Sequence, residues 1–284
     1  MTNILITIFG DLSTFSNYAP GIETNMSLDD LQPSGLIAKR RIEAIISSEI
    51  FNSITPDMDA FESLRSAIAN LTLSKQIVFD AINRRKNNVD VYKYELEAMQ
   101  RSYMENYFNS MDSLIYEISL NKQLKPIWEK TRYYILINSC KITSAEDFDS
   151  IFPIDLSYLF FFRIVPLQKE CLDEGISTYF DKTTDTRIVS MIKLALAKKT
   201  VAKALRRFDI LEFPPTITNL FEDNTSTRSE KDESDRACTL ADQLDTEADN
   251  LITNVDSLMN TESASDDSSY SALNEPDDKI IMFP

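Results

Sequence analysis

The 284-residue chain has no histidine, only 4 glycines, 3 cysteines and 1 tryptophan. Each shortage closes off a class of chemistry. Without histidine there is no imidazole base, no histidine proton shuttle and no histidine metal ligand. Four glycines are too few for a turn-rich sheet protein or a glycine-rich phosphate loop. No Walker loop, GxGxxG or GxSxG pattern is present. Cys140, Cys171 and Cys238 lie far apart with no CxxC pair, and the first two sit in apolar helical contexts. They read as buried free thiols in a reducing compartment, with disulfides as the alternative. A cysteine nucleophile would lack its usual base. The expectation is a non-enzymatic chain with no metal or other cofactor.

Long hydrophobic runs are also missing. No stretch reaches the roughly 20 apolar residues that span a bilayer, because Asp155 and Arg163 interrupt the best candidate. The Ile4–Phe9 run is too short for a secretory signal and has no basic residues before it. A soluble chain with no membrane partner is expected.

Acidic charge, by contrast, is abundant and uneven. The net charge is -16, and 17 acidic against 4 basic residues lie from Glu222 onward, a balance of -13. The remaining 28 acidic and 25 basic residues leave only -3 for the rest of the chain. A general nucleic-acid binder needs a basic surface for phosphate contacts, so this distribution argues against one.

Periodicity predicts an all-α protein in three parts: an N-terminal arm (1–26), a helical bundle (27–221) and an acidic tail (222–284). Ile4–Phe9 is a short β-like run that fits an extended edge or arm. Ser27–Ile54 reads as one helix, with Ala38, Ile42, Ile45, Ile46 and Ile50 on its apolar face. Thr55-Pro56-Asp57 is a helix start, followed by the stripe Phe61, Leu64, Ile68 and Leu71. Asn83–Asp90 is a polar break. From Val91 to Leu120, apolar residues from Tyr92 to Ile118 recur every three or four positions and predict a helix of roughly 40 Å. Its tyrosines read as core residues with hydroxyls at the edge, the alternative being a platform for stacking bases.

Pro126 opens a helix running to about Ser139, and Thr143 with Glu146 forms a capping box for a short helix that follows. Ile154–Phe180 is the organising stretch. Its most apolar run is Tyr158–Phe162, Asp155 is the expected cap, and Pro166 is expected to kink it.

Thr186–Phe208 is a further amphipathic helix. Lys193, Lys198, Lys199, Lys203, Arg206 and Arg207 make one side basic. That side reads as a solvated face, as a docking surface for the acidic tail of the same or a neighbouring subunit, or as a DNA-facing surface. By composition the tail is flexible or ordered by a partner. Within it, Leu240, Leu244, Ala248, Leu251, Val255 and Leu258 are spaced for one more helix. Asp242, Asp245, Glu247 and Asp249 are dense, but they lack the glycine and spacing of a calcium loop. Ile280, Ile281, Met282, Phe283 and Pro284 close the chain as an apolar peptide suited to anchoring in a partner's groove.

Several segments together carry a family resemblance. They are LRSAIANLTL (64–73), KYELEAMQRSYMENYFNSMDSLI (93–115), PIWEKTRYYILINS (126–139), SAEDF (144–148) and PIDLSYLFFFRIVPLQKE (153–170), with the helix after them up to Leu211-Glu212-Phe213-Pro214. In that order they resemble a family of structural proteins from tailed phages of Bacteroidales, the crAss-like group among them. The resemblance covers roughly half the chain and leaves out both ends. The family is similar to head–tail connector, or adaptor, proteins. It therefore implies a homo-oligomeric ring, typically twelvefold, between the portal protein and adjacent neck or tail proteins. DNA would pass through its channel without sequence-specific binding, and an acidic lining would keep the DNA from sticking. The implied location is the virion neck, after assembly in the host bacterial cytoplasm. The alternative is a helical binding module or assembly chaperone whose acidic tail engages a basic partner.

Overall fold

The computed structural model describes residues 3–21, 26–86, 92–220 and 230–266. The described residues are all-helical, with no strand among them. The first helices are α1 (Ile4–Phe9) and α2 (Leu12–Ser16), where an extended arm is expected from the sequence. The β-branched composition of Ile4–Phe9 is overridden by its ends and by packing. The Asn3 side chain accepts the Leu5 amide, and Gly10 at φ 77° stops the turn. Leu5, Ile8 and Phe9 then share one buried face. Arg65 fastens this segment, donating from Nε and Nη2 to the Ile8 carbonyl at 3.1 and 2.9 Å.

The single helix expected over Ser27–Ile54 is two: α3 (Gln32–Ile46) and α4 (Ser48–Ser53). Ser47, at φ 78°, breaks the run and turns its hydroxyl to cap Ile50. Its backbone lies in a region few non-glycine residues enter. The next helices, α5 (Asp59–Lys86) and α6 (Lys93–Leu120), form the longest hairpin. α5 starts two residues beyond the expected Thr55-Pro56-Asp57 signal and continues through the first half of the expected polar break. The hydroxyls of Ser66 and Ser110 meet across the hairpin at 2.7 Å. The α6 stripe is buried only from Tyr103 onward, and Tyr92 is exposed. Tyr103 and Tyr107 are core residues, which leaves no stacking platform there.

Where one helix is expected from Pro126 to Ser139, α7 (Lys125–Trp128) and α8 (Arg132–Ile137) are separated at Thr131. The Thr131 hydroxyl donates to the Trp128 carbonyl at 2.7 Å and closes the first turn. α9 (Ala145–Ile151) is capped by Ser144, which accepts from the Asp147 amide, one residue later than the expected box.

α10 (Tyr158–Cys171) is the packing centre: Leu159, Phe160, Phe161, Phe162, Ile164 and Val165 are all buried. Phe162 stands edge-on to Trp128 at 4.9 Å, Phe161 meets Phe148 at 6.2 Å, and Phe160 meets Phe213 at 5.6 Å. The expected kink at Pro166 is displaced. α10 runs unbroken through the proline, and the non-helical residue is Gly175 at φ 125°, inside the wide turn Leu172–Ile176. Proline removes one amide donor, but only glycine reaches that φ without strain. α11 (Ser177–Lys182) follows.

Asp155 does not cap α10; Ser157 does, and Asp112 of α6 supports it, accepting the Leu159 amide at 2.7 Å and the Ser157 hydroxyl at 3.1 Å. Asp155 instead accepts the Thr216 amide at 2.8 Å, at the start of α13 (Pro215–Thr218). The fully buried Gln168 accepts from the amides of Lys141 and Ile142 and returns a bond to the Ile142 carbonyl, pinning that loop to α10.

α12 (Thr186–Arg207) begins at the Asp185 cap and packs on α10. The largest departure from a flexible tail is α14 (Glu230–Asp266), a 37-residue helix lying along α12. At 1.5 Å per residue it is roughly 55 Å long. Residues 222–229 and 267–284, including the apolar peptide Ile280–Pro284, fall outside the described residues.

Candidate functional site

The densest charged surface is the seam between α12 and α14. The two helices run antiparallel. Arg206, at the end of α12, pairs with Asp242 at 2.7 Å and Asp245 at 2.6 Å. Lys198, two turns earlier, pairs with Glu247, and Lys199 pairs with Asp249 at 2.7 Å. Beyond the start of α12, the Tyr179 hydroxyl donates to Asp256 at 3.2 Å.

Beneath the ion pairs runs an apolar seam. Ala237, Ala241, Leu244, Ala248 and Val255 are buried, and Leu251 and Leu258 are half-buried. Together they alternate steps of four and three, the heptad spacing that keeps a stripe against a straight partner. Three alanines in the seam let the backbones approach closely. Leu240, an expected member of the stripe, is only half-buried, and the seam uses Ala237 and Ala241 instead.

The six basic residues of α12 divide by neighbour. Lys198, Lys199 and Arg206 face α14. Lys203 and Arg207 turn to the other side, where both reach Glu170 of α10 and Lys203 also reaches Glu174 at 2.8 Å. Lys193 is half-buried and has no ion-pair partner among the described residues. Arg207, then Lys203, hold the Glu170 carboxyl down to about 2. Lys198 lowers Glu247, while Asp242 and Asp245 raise Arg206. The lysines are partly covered, but their carboxylate partners remain in contact with solvent, so each pair contributes on the order of 0–1 kcal/mol. Burial of the seam provides the main attraction, and charge sets the register.

This arrangement answers two other readings of the same residues. Five of the six cations have carboxylate partners within the chain, which leaves little free charge on α12 for a phosphate backbone. Asp242, Asp245, Glu247 and Asp249 point at separate cations instead of converging, and no metal-binding group of three or more acidic or cysteine side chains occurs among the described residues.

The thiols of Cys140 and Cys171 are buried and pushed up to about 11 by that burial, and Cys238 is exposed. No helix among the described residues is long and apolar enough to cross a membrane. Comparison of the chain with protein-family models, curated proteins and solved structures gives no match.

Proposed function

We propose that the chain is a non-catalytic structural protein of a tailed-phage virion, one subunit of a connector ring between portal and tail around the DNA channel. The supporting observation is that the segments carrying the sequence resemblance meet in one packing unit. Phe161 and Phe162 of 153–170 touch Phe148 of 144–148 and Trp128 of 126–139, and Asp112 of 93–115 holds the start of α10. A sequence order that builds one packed unit suits a part whose task is shape. The exposed apolar side chains Val78, Phe79 and Ile82 on one stretch of α5 suit contact between ring subunits.

The competing reading is a chaperone whose acidic tail captures a basic partner. It must contend with carboxylates on α14 that already have partners on α12. Mass measurement of the purified protein, together with quantitative proteomics of mature particles, separates the two. A closed ring and a fixed number of copies per particle are expected of a connector. A monomer absent from mature particles would overturn that reading.

A further inference from the structure

Tyr107 is only 5% exposed, yet its hydroxyl makes no hydrogen bond to any described residue. Its hydroxyl oxygen keeps access to solvent through the cleft that the side chain lines. Burial pushes the phenol up to about 12, so it is a neutral donor near pH 7. The side chain lines a cleft of about 140 Å³ between α3, α6, α10 and the turn at Ile210–Glu212.

The polar wall of this cleft is rich in donors. Arg41 donates from Nη2 to Glu212 Oε1 at 3.2 Å, and Arg163 from Nη2 to Glu212 Oε2 at 2.7 Å. A guanidinium carries five N–H donors, and these bonds use one from each. Arg163 also stacks on the Phe208 ring at 4.4 Å, which fixes its plane. The lining thus holds two guanidiniums against one carboxylate. Lys75, half-buried, adds a third cation within electrostatic range of Arg41, with Asp209 and Glu212 opposing. Asp112 also acts on Tyr107 electrostatically, but its oxygen is taken up by the start of α10.

We propose that this cleft binds a small oxyanion of the phosphate type through the remaining donors of Arg41 and Arg163 and the hydroxyl of Tyr107. Both guanidiniums present planar, forked donors suited to such an ion. The volume suits a single ion and not a nucleic-acid strand. A bound ion would tie α3, α6 and α10 together, and this inference does not rest on the connector reading.

The test is a titration of the full-length protein with inorganic phosphate at constant ionic strength, balanced with chloride and followed by calorimetry and thermal unfolding. Saturable binding with a rise in Tm is expected. Tyr107→Phe and Arg41→Gln should each weaken phosphate roughly tenfold while unfolding near the parental Tm in chloride. Tyr107→Phe keeps the ring, so it remains informative if Arg41→Gln disturbs the Glu212 pairing. Absence of binding beyond the chloride control, or parental affinity in Tyr107→Phe, would overturn the proposal.

Discussion

Asp112 is a half-buried carboxylate committed to one task, holding the first amides of α10. Burial raises it to about 6, against the bonds from Leu159 and Ser157, which act to lower it. In the unfolded chain it returns toward 3.8. The folded state therefore binds more protons between roughly pH 4 and 6, and the cost of keeping Asp112 ionised is fully present above that window. Asp112→Asn keeps an acceptor for the Leu159 amide and removes the ionisation. Its Tm relative to the parent should be higher at pH 7.5 than at pH 4.5, as thermal unfolding across that range will show; a pH-independent difference contradicts the account. The thiols make a second residue-scale prediction. A thiol reagent should label Cys238 in the native protein and reach Cys140 and Cys171 only on unfolding, because buried thiols held near 11 carry almost no thiolate at neutral pH. Apolar core positions such as Leu64, Ile68, Met111 and Leu114 were legible from spacing alone. Asp112 and Gln168 were not, since their partners lie 26 to 47 residues away in the chain and polar residues carry no periodic signature.

Among the helices, the α12–α14 pair was legible from the spacing of its apolar residues and from charge complementarity, and not from composition. An acidic, serine- and threonine-rich tail reads as disordered because its large apolar residues are few. Ala237, Ala241 and Ala248 alternate in the seam with Leu244, Leu251, Val255 and Leu258, so few large side chains suffice, and the basic side of α12 offsets the charge. Arg206→Glu should turn two attractive contacts into repulsive ones. Amide exchange across 237–258 should then quicken roughly tenfold, with α10 unaffected. Ala241→Leu should cost about 1–3 kcal/mol by forcing the helices apart, readable as a lower denaturation midpoint. Helix existence from Lys93 to Leu120 and from Thr186 to Arg207 was plain in the sequence. The breaks at Ser47 and Thr131 were not: Ser47 adopts a φ that few non-glycine residues enter, and the extended cap at Thr131 interrupts the run without any change in its apolar spacing. α1 shows the reverse: a β-rich composition became helix once three side chains found a core.

Over the whole molecule, charge is divided between a nearly neutral body and a strongly acidic tail. Truncation after Leu220 removes α14 and bares its track on α12, while leaving the α5–α6 hairpin and the aromatic core intact. The truncated protein should keep its helical spectrum over the body, unfold several degrees lower and lose solubility near neutral pH. Calorimetry and sedimentation measure both, and an unchanged Tm would mean that α14 adds nothing to the body's stability.

The antiparallel course of α14 along α12 also has a mechanical consequence. Tension on Asp266 directed along the helix axis loads the ion pairs at Arg206, Lys199 and Lys198 together, in shear. The same tension applied perpendicular to the axis opens them one after another, each at a small force. The helix is therefore a clasp with a strong and a weak direction, and the angle at which a neighbour pulls decides whether it holds or peels.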